Sequence, residues 1–254
     1  MTAAAFRLDG RVAAVSGTTR GLGRAIAVAL AAAGADVVHL NRRPGQGPDD
    51  EIAAAGRRAA DVHLDLDGLA GADAARCVDA AAAAFGRLDV LVNNAGVIER
   101  APAAEVSEEG LRRVLAADLT APALLARAAG RRFVAAGRGK IVNVASVLSL
   151  RGGRDVLGYT MAKHAVAGLT RALAVEWAGH GVNVNAVVPG YVATDLTAGL
   201  RADPDRDRAV LARIPAGRWG SPDDIGGAVV YLAAPASDYV HGHLLAVDGG
   251  WLAG

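Results

Sequence analysis

Residues 12–23 read VAAVSGTTRGLG, and this stretch decides the fold. A short apolar run is followed at once by Gly17, Gly21 and Gly23, which have the spacing GxxxGxG. Glycines at such a turn let the backbone approach a bound group closely, and the first turn of the following helix presents free N–H groups to an anion. The stretch therefore predicts a strand, a phosphate-binding turn and a helix in succession.

Six further apolar runs lie outward from this stretch, at 37–40, 60–64, 90–92, 141–144, 182–188 and 244–247. They are apolar throughout rather than alternating, which is typical of strands buried on both faces of a parallel sheet. Segments with helical periodicity separate them, at 22–33, 70–85, 107–136, 159–178 and 221–234. The alternation predicts a single α/β domain over residues 1–254, a doubly wound, Rossmann-type parallel sheet of about seven strands with helices on both faces.

Two features depart from the regular alternation. Pro122 interrupts the longest helical segment, so we expect a kink or two abutting helices there. Residues 196–217 are polar and follow a strand that ends in Pro189 and Gly190. Because an insertion after the carboxyl end of a late strand lies over the ligand crevice, we expect this segment to be a lid over the substrate site.

The composition excludes several classes of protein. Apolar residues make up 52% and charged residues 21%, which is too apolar for a disordered chain. The net charge of +1 gives no basic surface for nucleic acid. A single cysteine, Cys77, allows no disulfide within the chain, and neither a signal-peptide pattern nor a membrane-length apolar run is present. We expect a cytoplasmic protein that acts on a small molecule, with no nucleic-acid or membrane partner.

The end of the second strand bears on the choice of dinucleotide. An acidic residue there binds the ribose hydroxyls of NAD, whereas an arginine accommodates the 2′-phosphate of NADP. This chain has the neutral Asn41 followed by Arg42 and Arg43, and Arg20 in the glycine turn adds a further cation. We therefore expect NADP(H), with NAD(H) as the second choice. The alternative is that these arginines are solvated surface residues.

The next two strands end in residues that suit the same nucleotide. Asp65 lies just past the third strand, where its carboxylate is placed to accept a hydrogen bond from an adenine amino group. Residues 93–96, NNAG, end the fourth strand. They are interpreted either as a turn or as backbone that contacts the nucleotide beside its ribose.

Three residues indicate the chemistry. Tyr159 and Lys163 are four positions apart, which puts them on one face of a helix, and Lys163 is one of two lysines in the chain. An ammonium within about 4–6 Å of a phenol favours the phenolate, so such a tyrosine can exchange a proton with an alcohol or carbonyl near neutral pH. Ser146 ends the fifth strand, and its hydroxyl can donate a hydrogen bond to the same substrate oxygen.

With these residues the chain resembles the short-chain dehydrogenase/reductase family over essentially its whole length. The matching motifs are the glycine turn, NNAG at 93–96, Ser146 with Tyr159 and Lys163, Pro189–Gly190 with Thr194, and VDGG at 247–250. The resemblance implies hydride transfer between a nicotinamide and a carbonyl or alcohol. It implies that Tyr159 is the general acid/base, that Lys163 lowers its pKa and holds the nicotinamide ribose, and that Ser146 polarises the substrate oxygen. It also implies a tetramer or dimer.

The residues and the resemblance together predict a set of cofactor contacts. Besides Tyr159 and Lys163, the set is Gly17, Thr19, Arg20, Gly21, Leu22, Gly23, Asn41, Arg42, Arg43, Asp65, Leu66, Asn93, Ala95, Gly96, Pro189, Gly190, Val192 and Thr194. Of these, Val192 and Thr194 are expected near the nicotinamide carboxamide.

One position departs from the family pattern. The family's fourth catalytic residue is an asparagine that holds a proton-relay water, and Asp118 stands at the matching position. A carboxylate keeps the acceptor of the amide but loses its donor. We expect its negative charge to strengthen the Lys163 ammonium and to weaken the effect of that ammonium on the tyrosine. We expect Asp118 to belong to the catalytic set, in a working but retuned relay.

Motifs near the C-terminus bear on the substrate. RIPAGRWG at 213–220 and ASDYV at 236–240 resemble the branch of 2-deoxy-gluconate and 2-dehydro-3-deoxy-gluconate dehydrogenases, which implies a polyol that carries a carboxylate. An arginine suits the acid end of such a substrate. We expect substrate contacts from Ser146, Tyr191, Arg151, Arg154 and Arg201. The alternative for each arginine is a solvated surface position.

Two other functions stay open. One is a ketoreductase that acts on a 3-oxoacyl thioester or a polycyclic, steroid-like ketone, which an open apolar crevice would favour. The other is a non-catalytic, dinucleotide-binding regulatory protein, which Asp118 supports and the intact Ser146, Tyr159 and Lys163 oppose. We expect no metal: the chain has other histidines, such as His39, but the pair His241 and His243 has no acidic or cysteine partner nearby in sequence.

Overall fold

The structure is a computed structural model that describes residues 3–254; Met1 and Thr2, which begin the predicted domain, lie outside the described residues. The strands are β1 (Val12–Ser16), β2 (Asp36–Asn41), β3 (Ala59–His63), β4 (Val90–Asn93), β5 (Gly139–Val144), β6 (Val182–Pro189) and β7 (Leu244–Val247). Within the described part of the chain they form one seven-stranded sheet in the order β3-β2-β1-β4-β5-β6-β7, and every neighbouring pair is parallel. The predicted doubly wound sheet is confirmed.

The helices are α1 (Gly21–Ala32), α2 (Asp49–Ala54), α3 (Gly71–Phe85), α4 (Glu108–Leu115), α5 (Ala121–Ala136), α6 (Leu157–Trp177), α7 (Ala198–Arg201), α8 (Pro204–Leu211) and α9 (Pro222–Ala233). The predicted break in the longest helical segment is present, but it precedes Pro122. A π-helical turn, Ala116–Thr120, joins α4 to α5, and the proline lies in the first turn of α5, where its missing N–H is harmless.

Apolar layers cover both faces of the sheet. On one face, α1 packs against β1 and β2 and α9 packs against β5, β6 and β7, and side chains such as Ile26 and Leu232 are fully buried there. Gly226 of α9 permits this close packing, because a Cβ there would fall 2.8 Å from the Cβ of Ala29 in α1. On the other face, α3 and α5 bury residues such as Phe133, and each fully buried large side chain stabilises the fold by about 1.5–3 kcal/mol.

The strand order fixes where a ligand can bind. The chain runs outward from β1 to β3 and then returns to place β4 on the other side of β1. Helices therefore diverge at the carboxyl ends of β1 and β4, and in sheets of this kind the ligand crevice lies at that reversal. No helix within residues 3–254 has the length and apolar character that crossing a membrane requires.

Candidate active site

The glycine turn at the end of β1 opens directly into α1. Gly17 and Gly21 have φ of +72° and +55°, in the region that favours glycine. A Cβ on Gly23 would collide with the carbonyl oxygen of Gly17, so the third glycine lets the helix approach the turn. The first turn of α1 holds no acidic residue and no side-chain cap, which leaves its N–H groups free for an anion.

Neighbouring polar groups hold the turn in place. The Asn41 Oδ1 accepts a hydrogen bond from the Thr18 amide at 2.9 Å, and the Asn41 Nδ2 donates to the Thr18 Oγ1 at 2.9 Å. The Ser16 Oγ accepts from the amides of Asn94 and Ala95, each at 3.0 Å. Asn94 in turn donates to the carbonyl oxygens of the turn. The turn is therefore pre-shaped from both sides.

A crevice of about 340 Å³ runs from this turn to the ends of β5 and β6. Most of the predicted contacts line it, namely Gly17, Thr19, Arg20, Gly21, Leu22, Gly23, Ala95, Gly96, Asp118, Ser146, Tyr159, Lys163, Pro189, Gly190, Val192 and Thr194. Sequence reasoning missed Asn94, Val97, Val144, Ala145, Asp195, Leu196 and Thr197 on the same surface. Most of these are immediate sequence neighbours of a predicted residue, so the motifs that contain the predicted residues could have indicated them.

Six predicted cofactor residues do not line this crevice. The Asn41 side chain is engaged by Thr18, and the Asn93 Nδ2 donates to the Asn143 Oδ1 at 2.9 Å inside the fold. Asp65 and Leu66 follow β3, and Asp65 lines a separate cavity of about 450 Å³. Arg42 and Arg43 are exposed, and within residues 3–254 neither forms an ion pair. These two side chains are thus available to a ligand beyond the crevice.

Ser146, Tyr159 and Lys163 meet where β5 and α6 face each other. The Ser146 Oγ accepts a hydrogen bond from the Leu148 amide at 3.1 Å, which leaves its own O–H free to donate into the crevice. The Lys163 Nζ lies 5.3 Å from the Tyr159 ring centroid and donates to the Val144 carbonyl oxygen at 3.0 Å. The three residues that the sequence singled out are therefore neighbours in space.

Asp118 lies in the π-helical turn and is fully buried. Its Oδ1 accepts a hydrogen bond from the Val97 amide at 2.7 Å, and its Oδ2 lies 3.4 Å from the Lys163 Nζ. A Cβ on Gly96 would fall 2.7 Å from this Oδ2, so the glycine allows the backbone at residue 96 to pack against the Asp118 carboxylate. A π-helical turn often marks a functional site, and here it carries the carboxylate that pairs with Lys163.

The charges of this cluster act on one another. Burial would lower the pKa of the Lys163 ammonium, but Asp118 and Tyr159 raise it above its ordinary value. Burial raises the pKa of the Tyr159 phenol, Asp118 raises it further, and Lys163, Ser146 and Arg100 oppose the rise. The carboxylate therefore holds the proton on Lys163 and makes the Tyr159 phenolate harder to form.

A second cavity, of about 670 Å³, adjoins the crevice and shares Ser146, Tyr159 and Gly190 with it. Of the predicted substrate residues, Ser146, Tyr191 and Arg154 line this cavity, whereas Arg151 and Arg201 do not. Arg201 donates instead to the Thr194 carbonyl oxygen at 3.3 Å. The arginines that sequence reasoning missed are Arg100, Arg206 and Arg213, which come from segments far apart in the chain.

The four arginines of this cavity differ in whether a nearby carboxylate neutralises their charge. Arg154 and Arg206 each lie 3.8 Å from a nearby carboxylate, those of Asp155 and Asp203. Arg213 stacks over the ring of Trp251, with 4.6 Å between its guanidinium carbon and the ring centroid. Within the described residues neither Arg100 nor Arg213 forms an ion pair, so both are free to bind an anionic group.

Comparisons with known proteins agree with this geometry. A family model described as enoyl-(acyl carrier protein) reductase matches residues 17–252. The chain is 47% identical over 249 residues to a 2-dehydro-3-deoxy-D-gluconate 5-dehydrogenase of Dickeya dadantii, covering 98% of each chain. It is 47% identical over 254 residues to the Escherichia coli enzyme of that name, covering 100% of each. A putative NAD(P)-dependent gluconate 5-dehydrogenase from Beutenbergia cavernae, solved with bound NADP, has a TM-score of 0.93 at 53% identity, covering 98% of this chain and 100% of the other.

The chain belongs to the short-chain dehydrogenase/reductase family. It is an oxidoreductase of the kind that acts on a CH–OH group with a nicotinamide nucleotide, as the sequence motifs predict.

Proposed function

We propose that this protein transfers a hydride between NADP(H) and the secondary alcohol or ketone of a sugar acid such as a deoxygluconate. One observation carries the proposal. The cavity that opens on Ser146 and Tyr159 is lined by four arginines, two of which form no ion pair within the described residues. Apolar side chains such as those of Leu148, Val156 and Leu200 line the rest of the cavity, but its spare cations suit an anionic substrate better than a plain ketone. The relatives named as deoxygluconate dehydrogenases support the same substrate class.

Side chains of the protein carry out the proton transfer. Ser146 donates a hydrogen bond to the substrate oxygen, and the Tyr159 hydroxyl exchanges a proton with that oxygen. Lys163, held by the Val144 carbonyl and Asp118, supplies the positive charge that stabilises the phenolate. The bound nicotinamide supplies or accepts the hydride at the substrate carbon.

The residues present fit a dinucleotide. The glycine turn offers free N–H groups without side chains in the way, as the pyrophosphate requires. Arg42 and Arg43 lie just past β2 and carry charge that no described carboxylate neutralises, which supports NADP(H) over NAD(H). The neighbour from Beutenbergia cavernae that was solved with NADP supports the same choice.

We further propose that segment 196–217 is a lid, that Asp118 takes part in proton transfer, and that the protein is a cytoplasmic homo-oligomer, a tetramer or dimer. Residues Leu196, Leu200, Arg206 and Arg213 of this segment line the substrate cavity, which supports the lid. The contacts of Asp118 with Lys163 and Val97 support its place in the catalytic set.

The test is the change in absorbance of the reduced nicotinamide with purified protein. NADPH and NADH are offered in parallel with keto sugar acids, plain ketones and a model 3-oxoacyl thioester. The proposal expects the fastest loss of NADPH with a keto sugar acid. Activity on the thioester or bulky ketones alone would assign the protein to ketoreduction instead. Cofactor binding without turnover on any of them would favour a regulatory role.

A further inference from the structure

His39 is a buried histidine that the proposed chemistry does not use. It lies on β2, and its exposed fraction is 0%. Its Nε2 is 3.0 Å from the Oδ1 of Asp49, the first residue of α2. Its Nδ1 has no hydrogen-bond partner within the described residues, so Nε2 carries the proton and donates it to the carboxylate. The hydrogen bond therefore ties the start of α2 to the sheet.

The loop between β2 and α2, residues 42–48, carries Arg42 and Arg43 and contacts the sheet at two points. The backbone of Gly47 packs on the imidazole: a Cβ there would fall 2.5 Å from both Cδ2 and Nε2 of His39. The Gly45 amide donates to the Asp61 Oδ2 of β3 at 3.0 Å, with Gly45 at a φ of +72°. The loop is thus held between His39, Asp49 and Asp61.

Core packing alone does not account for a histidine here. A leucine at this position would avoid the cost of burying an imidazole with an unpartnered nitrogen. Burial lowers the pKa of His39, against the opposing charges of Asp49 and Asp61, so the ring stays neutral and acts as a hydrogen-bond donor. What the imidazole adds over an apolar side chain is the fixed link to Asp49.

We propose that His39 and Asp49 are positioning residues for the nucleotide 2′-phosphate: they clamp loop 42–48 against β2 and so fix where Arg42 and Arg43 stand. The proposal rests on the proposed function, because it assigns those two arginines to NADP(H). Arginine side chains are long and lose rotamer freedom when they bind, and a fixed backbone beneath them reduces the ordering cost. The adenine contact predicted for Asp65 lies outside this loop, so we expect binding of the adenosine not to depend on the clamp.

The test uses binding rather than turnover. Calorimetry on the full-length protein compares adenosine 2′,5′-bisphosphate, which carries the 2′-phosphate, with AMP, which lacks it. The variants are His39→Leu, which removes the donor; His39→Gln, which keeps an amide donor; Asp49→Ala; and Asp50→Ala as the matched control. Asp50 is the neighbouring exposed acid of α2 and forms no hydrogen bond within residues 3–254, so its loss changes the local charge equally without touching the clamp.

The clamp predicts a selective effect. In His39→Leu and Asp49→Ala, the Kd for the bisphosphate rises roughly fivefold, the scale of a weakened charge-assisted contact, and the Kd for AMP is unchanged. His39→Gln recovers part of the loss, and Asp50→Ala binds the bisphosphate no more weakly than the wild type. If His39→Leu does not fold, the comparison of Asp49→Ala with Asp50→Ala decides alone.

Two results overturn the proposal, and they differ from each other. If the wild type prefers the bisphosphate while Asp49→Ala matches Asp50→Ala, or while both ligands weaken equally, His39 and Asp49 do not position the arginines and the NADP(H) assignment stands. If the wild type binds the bisphosphate no more tightly than AMP, the coenzyme assignment fails and the clamp fails with it.

Discussion

The charge on Asp118 acts on Lys163 and Tyr159, the residues proposed to act with it in proton transfer. It raises the pKa of Lys163 and the pKa of Tyr159, and it does so from a fully buried position 3.4 Å from the ammonium. The sequence predicted the residue and the direction of its influence on Lys163, because the family motif marks the position. It did not predict the π-helical turn that aims the carboxylate, since that turn depends on contacts with Val97 and Gly96.

Asp118→Asn should move the pH profile of alcohol oxidation to lower pH. In the proposed mechanism alcohol oxidation needs the Tyr159 phenolate, so we expect the rate to rise with pH through the pKa of that group. The Asp118 carboxylate raises the pKa of Tyr159, so its removal lowers that pKa and the rise in rate begins at a lower pH. The measurement is kcat against pH. Arg100→Gln is a control with the opposite sign. Arg100 lowers the pKa of Tyr159, so its loss should shift the pH profile to higher pH. A profile unchanged by Asp118→Asn would make Asp118 a bystander.

Lys163→Met should lose both activity and stability. It removes the charge that favours the phenolate, a loss of roughly 10²–10⁴-fold in kcat. It also leaves the buried Asp118 carboxylate without its cation, which costs about 3–5 kcal/mol in the free energy of unfolding. Denaturant titration and kcat separate the two effects. Adding Asp118→Asn should restore stability and leave activity lost; recovery of both would contradict the account.

At the scale of elements, the strands were predictable and the short helices were not. Continuous apolar runs predict parallel strands, and all seven are present, but the edge strands β3 and β7 are only partly buried because each has a neighbour on one side alone. The six-residue helix α2 shows no periodic pattern, so its clamp with His39 could not be anticipated. The arginines of the substrate cavity were missed for a related reason. Arg151 was chosen because it lies between Ser146 and Tyr159 in sequence, and Arg201 because it lies in the predicted lid. Arg100 is distant from both segments in sequence, and sequence alone could not show that the lid contributes Arg206 and Arg213 to the cavity rather than Arg201.

Gly23→Ala tests the turn between β1 and α1. The added methyl would collide with the Gly17 carbonyl oxygen, so α1 must shift and its first N–H groups no longer point towards the bound phosphate. We expect dinucleotide affinity to fall by roughly tenfold or more, which titration of NADPH fluorescence measures. Gly168→Ala in α6 is the matched control, because nothing lies within 4 Å of a Cβ there. It should keep wild-type affinity and gain about 0.5–1 kcal/mol of stability. Equal affinity in both variants would contradict this role.

For the whole molecule, the buried and ion-paired carboxylate of Asp89 contributes to the response of stability to acid. Asp89 joins the start of β4 to β1, accepting from the Val12 amide at 3.0 Å and pairing with Arg87 and Arg11. Burial would raise its pKa, but these partners lower it below 3.8. A carboxyl with a lowered folded-state pKa stabilises the fold above its unfolded pKa, and this contribution is lost as the pH falls through the folded value.

Asp89→Asn should therefore destabilise the protein near neutral pH by about 1.5–3 kcal/mol, the range for hydrogen bonds to a charged group. The difference from the wild type should shrink below about pH 4 as the wild-type carboxyl protonates. Denaturant titrations across pH measure it. Asp79→Asn is the control, since its exposed pair with Arg132 contributes about 0–1 kcal/mol. A difference that is independent of pH would contradict the role of the Asp89 charge.

The cavity beside Ser146 and Tyr159 is proposed to bind a substrate that carries a carboxylate. The most direct measurement is kcat/KM with NADPH for a keto sugar acid and for its neutral analogue, in which a hydroxymethyl group replaces the carboxylate. We expect kcat/KM to be roughly 100-fold higher for the acid, because the neutral analogue leaves a cavity arginine without its anion. Equal kcat/KM values, or a preference for the neutral analogue, would contradict it.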